Sequence, residues 1–419
     1  MPRHFTNWLK AYLKYTSSSE APDLFHFWTG VSVVAGALRR RVWIDQAYFQ
    51  WTPNFYIILI APPGIVSKST TAGIGMALLR EVDGIHFGPD SITWQALTQA
   101  MAEAQELIPL SADPMGEALP MSCLTIVSSE LGSFLNPQDR EMVDVLVDLW
   151  DSRLGAWVRK TKMSGTDHIE NPWINLIACT TPAWIRDNMP AYVIGGGFAS
   201  RCVFVYAEKK RHFAAYPKFL VGKTFDQQRR YLIEDLALIG EIRGEYILHP
   251  DAVEWGVKWY EEHWGPNRPP HLANERFGGY IARKQTHMHK LAMVIAASQR
   301  SDTIILRDDL ITAERFVTGL EPEMLKVFEN IGMNERTVNV RDIIATCRVY
   351  GQIERQKLYR LVWQRMAKEE FDNAVTSAIH TGYIREKQIG MMIMLIANQS
   401  KAEPKKEDED SDEQTATGS

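Results

Sequence analysis

Residues 55–71 read FYIILIAPPGIVSKSTT: an apolar run, a turn, and a polar helix start. Phe55 to Ile60 are strand formers without a charge, the pattern of a strand buried on both faces. TAGIGMALLREV, from Thr71, has helical composition. Lys68 and Ser69 stand where strand becomes helix. That turn suits phosphate: amides point inward, a helix N-terminus favours anions, a lysine reaches β- and γ-phosphates, and a hydroxyl binds Mg²⁺. The usual pattern, G-x-x-x-x-G-K-[ST], is broken twice. Counted back from Lys68, its glycine positions hold Ser67 and Pro62. Gly64 keeps some turn freedom. Gly64, Ser67, Lys68, Ser69 and Thr70 are thus candidate ligands of ATP, with Ser69 also a candidate for Mg²⁺. An ordinary helix N-terminus carrying serine and lysine is the competing reading.

The bulk composition sets limits. A chain of 419 residues exceeds one usual domain. Net charge is −5, and residues 401–419 hold three lysines against seven acids, so −4 of it lies in that tail. The remainder is near neutral, and any nucleic-acid surface must be a local patch. The four cysteines are far apart in apolar runs without a C-x-x-C, which suits buried thiols and not zinc. No apolar run reaches about 18 residues and no signal-peptide core opens the chain, so the expected setting is cytoplasmic, with no membrane partner.

Outward from the opening stretch, SCLTIVSSE (122–130), WINLIACTT (173–181) and RCVFVYAE (201–208) read as further buried strands. Helical patterns lie between them, including SITWQALTQAMAEAQEL and DREMVDVLVDLWDS. GAWVRKTKMSGTDHIENPW alternates around Ser164-Gly165-Thr166, as a β-hairpin would. Strands alternating with helices predict an α/β fold with a parallel, helix-covered sheet. Past residue 222 the pattern is mainly helical. Residues 337–397 read as three helices and a strand pair, the composition of a winged helix. The expected divisions are an N-terminal helical segment (1–50), a phosphate-loop core (51–222), a helical lid (223–335), a winged helix (336–398) and a disordered acidic tail (399–419).

Five more stretches carry candidate chemistry. Ser129-Glu130 closes the second strand, where an acidic pair commonly supports Mg²⁺ and polarises water; Glu130 is the candidate base, and Ser129 fills the metal-supporting place. Thr180 and Thr181 end the third strand, and either could sense a γ-phosphate or cap the next helix. Gly195-Gly196-Gly197 precede Arg201, which a mobile loop could present to a neighbouring subunit's phosphate; a salt bridge is the alternative. Arg159, Lys160, Lys162 and His168 on the hairpin could grip a nucleic-acid backbone. In YIARKQTHMHKLAMVIA, Arg283 and its neighbours at helical spacing would give one cationic and one apolar face, and Arg283 could sense nucleotide.

In this order the segments FYIILIAPPGIVSKSTT, LTIVSSELGSFL, NPWINLIACTTPAWI, GGGFASR and YIARKQTHMHKLAM resemble phosphate-loop ATPases of phages and mobile elements. The chain looks close to an uncharacterised primase-helicase-associated family, and is similar to superfamily three (AAA+-like) replicative helicases and, more distantly, MCM helicases. The resemblance covers roughly residues 50–330. It implies an AAA+- or RecA-like core in a ring of copies, a hexamer, with ATP and Mg²⁺ between subunits. Lys68 and Ser69 would hold phosphate and metal, Glu130 would activate water, Thr181 or Thr180 would act as sensor, and Arg201 would reach the next subunit. The hairpin cations would follow single-stranded DNA. The implied activity is an ATP-driven DNA helicase in replication, served by a separate primase or polymerase. An initiator or helicase loader that binds without unwinding, and a non-enzymatic scaffold, are the alternatives. Ser67 and Ser129 depart from the family pattern.

Overall fold

A computed structural model describes residues 2–89, 91–109, 118–161, 165–190, 193, 196–266, 277–328, 335–363, 366–390 and 392–398. It separates into two units, Met1–Ile331 and Gly332–Ser419.

The larger unit begins with α1 (Trp8–Tyr15), α2 (Asp23–Leu38), and the short strands β1 (Val42–Asp45) and β2 (Gln50–Trp51). Next come β3 (Tyr56–Ile60), α3 (Lys68–Leu79), α4 (Trp94–Glu103), β4 (Gln105–Pro109) and β5 (Ala118–Ser128). The short α5 (Leu131–Phe134) and α6 (Arg140–Trp150) lead into the hairpin β6 (Ala156–Thr161) and β7 (Gly165–Glu170). β8 (Pro172–Thr180), α7 (Pro182–Asn188), α8 (Gly197–Arg201) and β9 (Cys202–Tyr206) complete the sheet region. The remainder holds α9 (Phe225–Gly240), β10 (Gly244–Glu245), β11 (Ile247–Leu248), α10 (Pro250–Trp264), α11 (Gly278–Gln299), β12 (Ile304–Ile305), α12 (Arg307–Thr318) and α13 (Glu321–Phe328).

The central sheet runs β4-β5-β8-β3-β9. β5, β8, β3 and β9 are parallel, and β4 is antiparallel on the edge. Every residue of β3 and β8 is buried, as expected of strands covered on both faces. Phe87, in the chain returning from α3, bridges Thr125 in parallel on the outer side of β5. The stretch expected as one helix to Leu107 breaks at Ala104, because Gln105–Pro109 finds hydrogen-bonding partners on β5.

The connection from β3 through α3 runs toward β5, and that from β8 through α7 and α8 passes β3 to reach β9. Right-handed crossovers in opposite directions cover opposite faces. On one face, Asn175 donates to the Ser32 carbonyl of α2 at 3.0 Å. On the other, the Tyr56 hydroxyl donates to the Leu146 carbonyl of α6 at 2.8 Å. α2 and α3 touch closely: a Cβ on Gly75 would sit 2.4 Å from Thr29 Cγ2.

α2 is buried at every residue from Phe25 to Leu38. It belongs to the sheet's core and not to a separate leading segment. One hydrophobic cluster runs from Trp8 to Phe328, so no break in packing falls at residue 50 or 222. α11 also departs from expectation. Its cationic stripe does not face water: Lys284 pairs with Glu321 at 2.5 Å, both buried, and Lys290, His287 and His289 are buried as well. Partners remote in sequence neutralise or solvate Lys284, His287 and Lys290, while His289 bonds to the Gln285 carbonyl of the same helix, so these groups can be buried.

The smaller unit comprises α14 (Glu335–Tyr350), β13 (Gln352–Glu354), α15 (Arg355–Val362), α16 (Lys368–His380), β14 (Ile384–Ile389) and β15 (Met392–Ala397). Its antiparallel sheet is ordered β13-β15-β14 over a core that includes Ile343, Leu358, Phe371 and Leu395. The molecule is thus mixed α/β, and among the described residues no helix is long and apolar enough to cross a membrane. All four cysteines are buried and free.

Candidate functional site

The carboxyl edge of the sheet gathers groups from three neighbouring strands. β3 ends at Ile60, and the chain turns through Ala61–Ser67 into α3. Gly64 has φ +73°, open space around its Cα, and the conformational freedom the turn needs. Ser67 also lies in the left-handed region, at φ +49°, ψ +47°. The sequence thus places a serine where the backbone favours glycine, at a cost of about 1–2 kcal/mol. The bend aims the first turn of α3 outward. Ser69 and Thr70 are exposed, while the Thr71 hydroxyl donates to the Ser67 carbonyl at 3.0 Å and steadies the turn. The amides of a first helical turn have no partners within their own helix, and they carry the positive end of its dipole.

Lys68 folds back on its own loop. Its Nζ donates to the Ala61 carbonyl at 2.8 Å and to Pro62 at 3.4 Å. Partial burial lowers its pKa, while Cys179 and Glu130 act in the opposite direction. Burial pushes the Cys179 thiol up to about 12, with Lys68 and Glu130 again in electrostatic range. Lys68, Cys179 and Glu130 therefore share one neighbourhood, although 62 positions separate Lys68 from Glu130 along the chain.

Glu130 precedes α5, two residues past the end of β5, and its backbone carbonyl accepts from the Ser128 hydroxyl at 2.7 Å. Glu130 and Ser129 are both exposed. α5 is held by α7: a Cβ on Gly132 would meet Trp184 Nε1 at 2.6 Å, so only glycine admits this approach. The two threonines separate in role. The Thr181 hydroxyl accepts from the Trp184 amide at 3.1 Å and caps α7. Thr180 is 1% exposed, and its Oγ1 has no hydrogen-bond partner. An orphaned buried hydroxyl costs on the order of 1–3 kcal/mol, which a ligand atom could recover.

Arg201 and Arg283 lie at the opposite, amino-terminal edge. Arg201 immediately precedes β9, whose first residue pairs with Tyr56, the first of β3. β3 spans five residues, roughly 16 Å, between this edge and the Lys68 loop. Arg201 is 5% exposed; its Nη2 donates to both Asp151 oxygens at 2.9 Å, and its Nη1 to the Gly197 carbonyl at 2.9 Å. The salt bridge left open by the sequence is therefore present, and the loop expected before it is helical at Gly197–Arg201. Gly195 lies outside the described residues.

Arg283 is half-buried near Arg201, Asp151 and the Trp150 ring, and burial lowers its pKa. Lys290 Nζ donates to Asn54 Oδ1 at 2.7 Å and stands 3.6 Å from the Trp150 ring centroid. His287 Nε2 and the Ser200 carbonyl are 3.0 Å apart, and burial pushes this imidazole down to about 4. A cleft of about 250 Å³ opens here, lined by Trp51, Trp150, Arg283 and Lys290 among others. Asp151, the carboxylate of the cluster, was not legible in the sequence: it simply ends an amphipathic helix.

On the hairpin, Arg159 lies 4.0 Å from the Trp94 ring and 3.4 Å from Glu141, so packing to α4 and α6 holds it. His168 is exposed and pairs with Glu170 at 2.5 Å. The Lys160 side chain and all of Lys162 lie outside the described residues. Among the described residues no cluster of three or more His, Cys, Asp or Glu forms a metal cage. No known family matches the sequence, and no curated protein matches it.

Proposed function

We propose that this chain is an ATP-dependent DNA helicase of the phosphate-loop type, working as a ring in phage or mobile-element replication in a bacterial cytoplasm. The observation that carries the reading is the meeting of Lys68, Glu130 and Thr180 at the carboxyl ends of β3, β5 and β8. Open α/β sheets bind ligands at that edge. β3 and β5 are two strand spacings apart, roughly 10 Å, which leaves room for a triphosphate tail and a water between their tips.

The steps follow from these side chains. Lys68 exchanges its loop carbonyls for β- and γ-phosphate oxygens, and the first-turn amides of α3 take the remaining charge. Glu130 accepts a proton from water as the water attacks the γ-phosphorus; the bond to the β–γ bridging oxygen breaks, and ADP leaves with its electron pair. Thr180 Oγ1 would hold a γ-phosphate oxygen once nucleotide binding uncovers it, since the residue is 1% exposed. Mg²⁺ bound with the nucleotide would offset charge on the β- and γ-oxygens, held by the Ser69 hydroxyl. Ser129 supplies a neutral hydroxyl where a second carboxylate would bind more strongly.

Arg201 sits a strand length from Lys68, 5% exposed and bonded to Asp151, so it would serve the fold and not phosphate held by another copy. The hairpin is the proposed path for single-stranded DNA. The smaller unit is read as a winged helix, although exposed Glu369 and Glu370 on α16 do not suit a phosphate backbone. Lys68→Ala should reduce DNA-stimulated ATP hydrolysis at least about 100-fold and abolish unwinding of a forked duplex. Undiminished unwinding by this variant would sink the proposal. Ser129 favours one second reading, a slow ATPase that loads or initiates. It predicts hydrolysis without strand displacement on the same fork.

A further inference from the structure

Beyond β9 the chain leaves the carboxyl edge as EKKRHFAAYPKFLVGK (208–223), and it holds large apolar side chains out in water. Phe213 is 90% exposed, Phe219 80%, Tyr216 71% and Leu220 54%. Such exposure usually accompanies a slack loop, but this backbone is pinned. The Glu20 carboxylate accepts from Lys210 Nζ at 2.5 Å and from the Ala214 amide at 2.9 Å. These two bonds hold the Glu20 carboxyl below its usual range. Arg211 Nε donates to the Ser19 carbonyl at 2.8 Å, its guanidinium also pairs with Asp23, and its amide donates to the Glu20 carbonyl at 3.1 Å. Phe213 is thus clamped on both sides, with its ring directed to solvent. Tyr216 and Phe219 pack edge to face, centroids 6.1 Å apart, around the turn at Pro217–Phe219.

The charges sharpen what this surface fits. Lys210 and Arg211 are used in the clamp, whereas Lys209, Lys218 and Lys223 are exposed and have no carboxylate partner among the described residues. A partner built around an apolar helix would satisfy the rings and leave the lysines idle. Single-stranded nucleic acid satisfies both, since bases stack on aromatic faces while phosphates meet the cations. Holding the rings rigid removes part of the ordering cost of binding.

We propose that residues 208–223 form a binding platform for single-stranded nucleic acid, separate from the hairpin. Phe213, Tyr216 and Phe219 stack bases, and Lys209, Lys218 and Lys223 contact phosphates. The platform needs neither Lys68 nor Glu130.

The test is fluorescence anisotropy of a labelled oligothymidylate with the full-length chain, without nucleotide. Phe213→Ala should weaken binding about tenfold, and combining it with Tyr216→Ala and Phe219→Ala should weaken it further. Phe213→Trp should retain affinity. Each of Lys209→Gln, Lys218→Gln and Lys223→Gln should reduce the slope of log affinity against log salt by about 0.7. Lys68→Ala should bind as the parent does, so a failed nucleotide site leaves the platform standing. Unchanged affinity in the triple aromatic variant overturns the proposal. So does a triple variant that loses self-association by light scattering while each copy still binds DNA as before, because the rings would then belong to a contact between copies.

Discussion

The two edges of the central sheet differ in how their charged groups are held. At the amino edge, Arg201 is bonded to Asp151, Lys290 to Asn54, and His287 to the Ser200 carbonyl. At the carboxyl edge, the Thr180 hydroxyl is orphaned, Glu130 is exposed, and Lys68 rests on carbonyls of its own loop. Burial explains the difference. A cation inside a core must find a partner or destabilise the fold, whereas exposed Glu130 and half-buried Lys68 can wait on water. Unpartnered buried polar atoms occur at both edges, Thr180 Oγ1 at one and Trp150 Nε1, Arg283 Nε and His287 Nδ1 at the other, so the contrast lies in the charged groups.

The contrast can be broken experimentally. Glu130→Gln keeps size and hydrogen bonding but removes the base; hydrolysis should fall about 10²–10⁴-fold while a fluorescent ATP analogue still binds. Equal loss of binding and turnover would place Glu130 among ligand holders instead. Asp151→Ala tests the other edge. It leaves Arg201 buried without its carboxylate and should cost about 3–5 kcal/mol in urea unfolding. A change under about 1 kcal/mol would mean that this edge is more open to water than its burial implies. The smallest effect is at Ser67. Glycine there relieves the left-handed strain but frees the unfolded chain, so Ser67→Gly should stabilise the chain by about 0.5–1 kcal/mol in the same assay. Destabilisation would show that the serine side chain contributes a contact of its own.

The sequence exposed the sheet well, because strands buried on both faces must be apolar throughout: FYIILI, WINLIACT and CVFVY carry that requirement on their surface. Lys68 was visible as a cation at a strand-to-helix turn; that its Nζ rests on carbonyls of its own loop was not. Thr181 as a cap was also legible, because threonine before proline is a strong helix start. What escaped was every property set by a partner distant in the chain. Lys290 is 236 residues from Asn54, and the periodicity of α11 gives no sign that such a partner exists. The expected cationic face was therefore a correct list of cations and an incorrect statement of their surroundings. Arg159 followed the same course: alternation placed it on a hairpin, and only the fold brings Trp94 beneath it.

One consequence concerns the order in which the chain is made. α2 is buried on every side from Phe25 to Leu38, and it leaves the ribosome before the strands and later helices that pack on it. Its bond to Asn175 spans 143 residues, and Gly240 of α9 closes against Ala37 later still. Arg3 reaches the Ala297 carbonyl across 294 residues. Synthesis therefore produces α2 with its neighbours α1 and α3 well before β8 and α9, which complete its cover. Contacts this far apart form slowly, and until they form, the faces of this sixteen-residue helix turned to β8 and α9 stay in the open. Nascent chains halted before α11 should be retained by a holding chaperone, and released once Ala297 has emerged.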